Sequence, residues 1–328
     1  MKRILLTMLM LTLLLSSCAQ ADAIPSDDPI FLEFEAQNWQ LACSGDKKDV
    51  NFQAAEYFAQ LIYRETNGAV SVTVTSGSTL SDTGSDADIS LISSLLWSEV
   101  DQRFSVLTLP FLFSSEADAT AALDGSGGDA LSAILREHGE HCLGIGSEGF
   151  RRPTNQVGPI TSPSDLKGLR LRVEEYPILQ EAYTLWGAEC VSLDWPWVYT
   201  ALRTGTYDGQ EMPLEDANRS AIQDVQTHVT DWTGLYSGVV LCMREELYDS
   251  LSPTLRKIVD DCSEKAIARQ RSLMAETTQT ILAKWRKAKV TVTTLTPEAA
   301  QEFRIAAQPC YDRFAKTVDA ELLKTFTG

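Results

Sequence analysis

Between Asn51 and Thr66 the apolar residues Ala54, Phe58, Leu61 and Ile62 recur at helical spacing, and Asn67-Gly68 follows as a C-cap. Ahead of this helix, Phe31-Leu-Glu-Phe-Glu alternates apolar with polar residues, which predicts a half-exposed strand. Val70-Ser-Val-Thr-Val predicts a second strand and Ala87-Asp-Ile-Ser-Leu-Ile a third. Leu107 to Phe113 is an apolar segment broken at Pro110, Glu116 to Leu123 opens another helix, and Cys142 to Ile145 reads as a strand. Strand and helix alternate throughout, so the pattern predicts parallel α/β sheets covered by helices. No internal repeat interrupts it.

The central segment has the sharpest punctuation. Ser162-Pro163-Ser164-Asp165 supplies a capping serine, a proline at the first helical position and an acid in the first turn. Gly168 stops that short helix, and Leu169-Arg170-Leu171-Arg172-Val173 alternates strictly. Its apolar side chains therefore share one face and the two arginines the other. Asp194 and Pro196 start the next helix, Val198, Ala201 and Leu202 give it an apolar stripe, and Gly205 ends it. Tyr207-Asp208-Gly209-Gln210-Glu211 then runs extended. Arg152 and Arg172 both fall at predicted strand ends, where a forked, permanently charged guanidinium is a natural seat for a carboxylate.

Composition narrows the class of partner. A chain of 328 residues is long enough for two domains. With 45 acidic and 28 basic residues its net charge is −17, which opposes nucleic-acid binding. No G-x-S-x-G, metal-ligand cluster or nucleotide loop is present, so neither an enzyme nor a cofactor is expected. His138 and His141 sit near acids, but without H-E-x-x-H spacing they read as a solvated helix end. Cys43, Cys142, Cys190, Cys242, Cys262 and Cys310 are compatible with disulfides or with free buried thiols, and no pairing is selected.

At the N-terminus, Lys2 and Arg3 precede an apolar run from Ile4 to Leu15, too short to span a bilayer. It ends in Leu15-Ser16-Ser17-Cys18, which resembles a bacterial lipobox. That resemblance implies a signal peptide over residues 1–17, lipidation of Cys18, and a solvated tether over 18–28. The expected location is extracytoplasmic, with the membrane reached through the lipid anchor alone or the protein free in the periplasm.

The run GFRRPTN, then SPSDLKGLRLRV, then GAECVSLDWPWVYTALRTGTYDGQEMP, resembles the DctP-type substrate-binding subunits of TRAP transporters. The likeness is dense over about residues 150–215 and looser elsewhere. It implies a two-lobed α/β fold like that of periplasmic binding proteins, with hinge strands and a long bracing helix. One lobe would hold residues 29–149 plus 238–277, the other 150–237 plus 278–328. Crossings would fall near Gly149, near Ser237 and within a helix from Pro253 to Lys289. The resemblance also implies capture of a small organic acid and its delivery to small and large permease subunits. A binding lipoprotein of the same fold that serves a sensor is the alternative.

By the same resemblance Arg172 pairs with the solute carboxylate, Arg152 is a second basic contact, and Trp195 lines the pocket. Arg151 competes with Arg152 for the inward position, and the alignment favours Arg152. Met212 stands where the family usually has asparagine, which replaces a polar hand by an adaptable apolar wall. Gln37, Asn38 and Trp39 are the expected opposing wall. Arg170 is expected in surface ion pairs, and Asp208 and Glu211 in structural roles. The stretch over 79–88 is shorter than in most members, which would thin one wall of the first lobe.

Overall fold

The amphipathic run after Asp49 becomes a helix whose inner face carries Phe52, Phe58, Leu61 and Ile62, and this helix covers one end of a mixed sheet. The structure, a computed structural model, describes residues 34–77 and 87–327. The lipobox, the tether and most of the shortened 79–88 stretch therefore lie outside the described residues.

In chain order the elements are β1 (Gln37–Ser44), α1 (Val50–Glu65), β2 (Val70–Gly77), β3 (Ile89–Ser93) and α2 (Ser94–Val100). There follow α3 (Glu116–Leu123), α4 (Ser126–Glu137), β4 (Glu140–Asn155), β5 (Arg170–Arg172) and α5 (Pro177–Leu185). Then come β6 (Glu189–Val191), α6 (Trp195–Arg203), β7 (Gly209–Pro213), α7 (Leu214–Arg219), β8 (His228–Asp231) and β9 (Leu235–Arg244). The chain finishes with α8 (Glu245–Ser250), α9 (Pro253–Lys287), β10 (Thr291–Thr294), α10 (Pro297–Ala306), α11 (Gln308–Thr317) and α12 (Ala320–Thr327). The first strand was expected at Phe31–Glu35. Phe31, Leu32 and Glu33 of that stretch lie outside the described residues, and among the described residues the sheet begins at Gln37, opposite Val70, where Trp39, Leu41 and Cys43 reach the core.

The main path of the sheet runs β2-β1-β3-β9-β4-β7-β5-β6, with β8 and β10 attached beside β4. Strands β1, β2 and β3 are parallel, as are β5, β6 and β7. Two long antiparallel strands join these groups: β9 pairs with β3, and the far end of β4 pairs with β7 and β8. Gly149 of β4 lies opposite Ser237 of β9, just beyond a bulge between Ser147 and Gly149. At φ +83° Gly149 takes a conformation that suits glycine.

The 35-residue helix α9 braces both groups. Its Gln270 is fully buried and clamps the bulge: the amide oxygen accepts from Ser147 N at 2.9 Å. The amide nitrogen donates to Ser147 O at 2.7 Å and to Asn51 Oδ1 at 2.8 Å. A Cβ at Gly146 would stand 2.5 Å from that amide oxygen, so the clamp requires glycine there.

Three cores back the sheet. Phe52, Phe58, Leu61, Leu241 and Val259 fill the first. The second is aromatic, with Trp186, Trp232 and Phe303 within 5.2–5.5 Å of one another, centroid to centroid. The third holds Val198, Leu202, Met212 and Trp285. The six cysteines among the described residues are free thiols, four of them buried. His138 faces Asp101 at 3.0 Å and His141 stacks on Tyr248, and no metal-ligand group occurs among the described residues.

Candidate functional site

Parallel strands leave their carboxyl ends facing one crevice, the usual place for a ligand in an open α/β sheet. Here the strand ends bring Ser44, Ser93, Arg172 and Pro213 to two adjoining hollows that share Glu174 and Tyr176. One hollow, of about 310 Å³, is lined by Ser44, Ser93, Glu148, Arg151 and Glu215. The other, of about 1130 Å³, is lined by Arg172, Leu193, Trp195 and Phe314.

Arg172 is only 7% exposed, yet its own contacts are long. Its Nε donates to Leu193 O at 3.3 Å and its Nη1 to Glu174 Oε1 at 3.4 Å. Its Nη2 makes no hydrogen bond among the described residues. The Trp195 ring lies 5.6 Å from the guanidinium carbon and is 39% exposed, so one face of the indole remains open to solvent. Arg172 and Trp195 thus come together at one hollow.

The neighbouring arginines exchange roles. Arg151, 2% exposed, holds Glu211 through Nε at 2.7 Å and Nη2 at 3.0 Å, and Glu174 through Nη2 at 2.9 Å. Arg152 points to the other face of β4, where its Nε donates to Asp231 at 2.9 Å and its Nη1 to Phe150 O at 2.7 Å. It lines a separate cavity of about 660 Å³ with Phe111, Trp232 and Arg304. Successive residues of a strand face opposite ways, so only one of the pair can enter the crevice. Register with β7 selects Arg151, and that register is not visible in the sequence.

Three more expectations are corrected. Met212 is 2% exposed and packs with Val198, Leu202 and Trp285, because its face of β7 is covered by α6 and α9. Asn38 and Trp39 lie at the amino end of β1, whereas the crevice opens at its carboxyl end, at Ser44 and Gly45. Asn38 is exposed and accepts from Ser71 Oγ, and Trp39 is buried with its indole on Gln37. Arg170, as expected, makes a surface pair with Asp208 at 2.7 Å.

The residue the sequence reading passed over is Glu174. It stands two places beyond Arg172, and that spacing alone was a signal for a shared face. Burial pushes its carboxyl up, but the Arg151 and Arg172 guanidiniums outweigh this and leave it below the ordinary glutamate range. It is ionised at neutral pH. Glu148 behaves oppositely: burial pushes it up to about 8, while the Ser93 hydroxyl, donating at 2.7 Å, offsets only part of this. Arg151 also lowers it, and Asp216 and Glu174 raise it further. Burial likewise takes Glu215 up to about 7 and Asp216 to about 6.

A carboxyl whose folded pKa lies above its unfolded value of ~4.3 binds more protons folded than unfolded between those values. Stability therefore falls as pH rises from ~4.5 through about 8. Glu148→Gln is expected to match the wild type near pH 5 and to melt several degrees higher near pH 8. Melting curves of both proteins across that window check this, and parallel curves would contradict it.

Residues 42–317 match the family described as bacterial extracellular solute-binding protein, family 7, DctP. The chain belongs to this family. It is a two-lobed α/β solute-binding protein of the TRAP type, a receptor family rather than an enzyme family. The chain is 29% identical over 299 residues to the 2,3-diketo-L-gulonate-binding periplasmic protein YiaO of Escherichia coli K12, covering 88% of this chain and 91% of that one. It is 25% identical over 223 residues to the C4-dicarboxylate-binding periplasmic protein DctP of Rhodobacter capsulatus, covering 68% and 67%. A TRAP periplasmic solute-binding protein from Ochrobactrum anthropi superposes with a TM-score of 0.85 at 27% identity, covering 90% of this chain and 95% of that one. In that structure a C-terminus is bound in the ligand-binding pocket. The family is extracytoplasmic, and no helix among the described residues is long and apolar enough to cross a membrane.

Proposed function

We propose that this chain captures a small carboxylate-bearing solute on Arg172 and delivers it to the small and large membrane subunits of a TRAP permease. The observation that carries this is a nearly buried guanidinium with an unpartnered Nη2, at a strand end that lines a hollow of about 1130 Å³. Charge-assisted, forked hydrogen bonds to a carboxylate suit that geometry, and arginine supplies them without a protonation step. Relatives that bind 2,3-diketo-L-gulonate and C4-dicarboxylates support an organic acid as the solute class.

Lobe closure follows from the same arrangement. In this reading residues 29–149 plus 238–277 form one lobe and 150–237 plus 278–328 the other. The bulged pair Gly149–Ser237 and the span of α9 are the places where bending concentrates. A solute held by Arg172 and touching Ser44 or Ser93 favours the closed form by its extra contacts there. Mass spectrometry of the small molecule released from denatured protein tests the reading: a carboxylic acid supports it, and a solute without a carboxyl group overturns it.

Cys18 is the proposed anchor. Two or more acyl chains on one cysteine hold a protein stably at a bilayer, at ~0.8 kcal/mol per buried methylene. Cys18→Ser is expected to move the protein from the membrane fraction to the soluble extracytoplasmic fraction. Retention in the membrane fraction would sink the anchor and leave the receptor standing.

A further inference from the structure

The crevice gathers more carboxyl groups than guanidiniums: Asp49, Glu148, Glu174, Glu215 and Asp216 line one hollow with Arg151 and Arg219. Arg151 is matched by Glu211 and also holds Glu174 at 2.9 Å, whereas Arg172 reaches Glu174 only at 3.4 Å. Arg219 reaches both Asp49 and Asp216. That leaves Glu148, whose partner is the Ser93 hydroxyl, and Glu215, whose partner is the Val50 N–H, with no salt bridge among the described residues. Both line the same hollow as Arg151 and Glu174.

A plain carboxylate seated on Arg172 would lie next to the ionised Glu174, with that guanidinium shared between two anions. Like charges so placed oppose binding. A protonated nitrogen on the same solute removes the conflict. With its carboxylate in the Arg172 fork, a nitrogen turned to Glu174 meets a side chain that lines both this hollow and the one that holds Glu148. A hydroxyl there can donate a hydrogen bond but leaves the added negative charge unbalanced.

We propose, building on the carboxylate reading above, that the solute is zwitterionic: its carboxylate is held by Arg172 and its protonated nitrogen by Glu174, with Glu148 behind it. Glu174 is then the residue that separates amino acids from simple organic acids in this receptor.

The test is a thermal-shift and calorimetry panel of pairs that differ by one amino group: glutamate with glutarate, 2-aminoadipate with adipate, and 4-aminobutanoate with butanoate, plus succinate and galactonate. At least one aminated probe is expected to bind about tenfold or more tighter than its partner. In Glu174→Gln that preference is expected to collapse toward parity, with the plain acid gaining. Plain acids that bind as tightly as any aminated probe, aminated probes that all fail, or a preference that survives Glu174→Gln would each overturn the proposal. The underlying reading fails separately. If Arg172→Ala leaves the bound probes unaffected, or if neither half of the panel binds, the carboxylate seat itself is wrong.

Discussion

Arg172→Ala abolishes measurable solute binding and leaves the fold intact: that is the expected result of calorimetry and thermal melting on the same protein. The two halves of the result come from different contacts. Among the described residues Arg172 makes only hydrogen bonds of 3.3 and 3.4 Å, to Leu193 O and Glu174, and a cation–π approach to Trp195. Both bonds are longer than a strong charge-assisted bond, and without Arg172 the Glu174 carboxylate still keeps Arg151 at 2.9 Å, so the melting temperature changes little. In the complex the same guanidinium is desolvated against a carboxylate. Losing one partner of such a pair costs about 2–5 kcal/mol, or roughly thirty- to several-thousand-fold in affinity. Arg172→Lys keeps the charge and loses the fork, so it should fall between. Unchanged affinity in the alanine variant would remove the central assignment. A collapsed melting curve would instead show that Arg172 is structural.

The central strands and helices were legible because their signals are local. Ser162 to Asp165 form the capping box their spacing predicts, and Asn67 and Gly68 take the left-handed conformation that ends α1. Arg172 and Trp195 fall on the elements expected for them because one closes an alternating strand and the other opens a helix after Asp194. The misplacements share one cause, which is register. Whether Arg151 or Arg152 turns inward, and whether Met212 meets solute or core, depends on how β4 pairs with β7. A shift of one residue would reverse every answer. Asn38 and Trp39 failed for a related reason: they lie within β1 at its amino end, and the crevice opens at the carboxyl end, at Ser44. Glu174 was missed because its meaning lies in two guanidiniums that converge from different strands.

The buried pair beneath the crevice predicts a loss of the opposite kind, in stability first. Glu211 is fully buried and Arg151 nearly so, and two hydrogen bonds of 2.7 and 3.0 Å join them between β4 and β7. Glu211→Ala leaves the Arg151 guanidinium enclosed with Glu174 as its remaining carboxylate. Removing one member of a buried pair costs about 3–5 kcal/mol because the other is left uncompensated. At ~2–4 °C per kcal/mol for a protein somewhat smaller than this one, the melting temperature should fall by roughly 6–20 °C. Replacing both partners by apolar residues, as in Arg151→Met with Glu211→Leu, should recover much of that loss, since no unpaired charge remains in the strand pair. Glu174 then loses its firmer guanidinium and turns fully to Arg172, so the stable double variant should bind solute more weakly than the wild type. A double variant as unstable as Glu211→Ala would mean that the pair fixes the β4–β7 register itself, and Arg151 would then be part of the frame that aims the crevice.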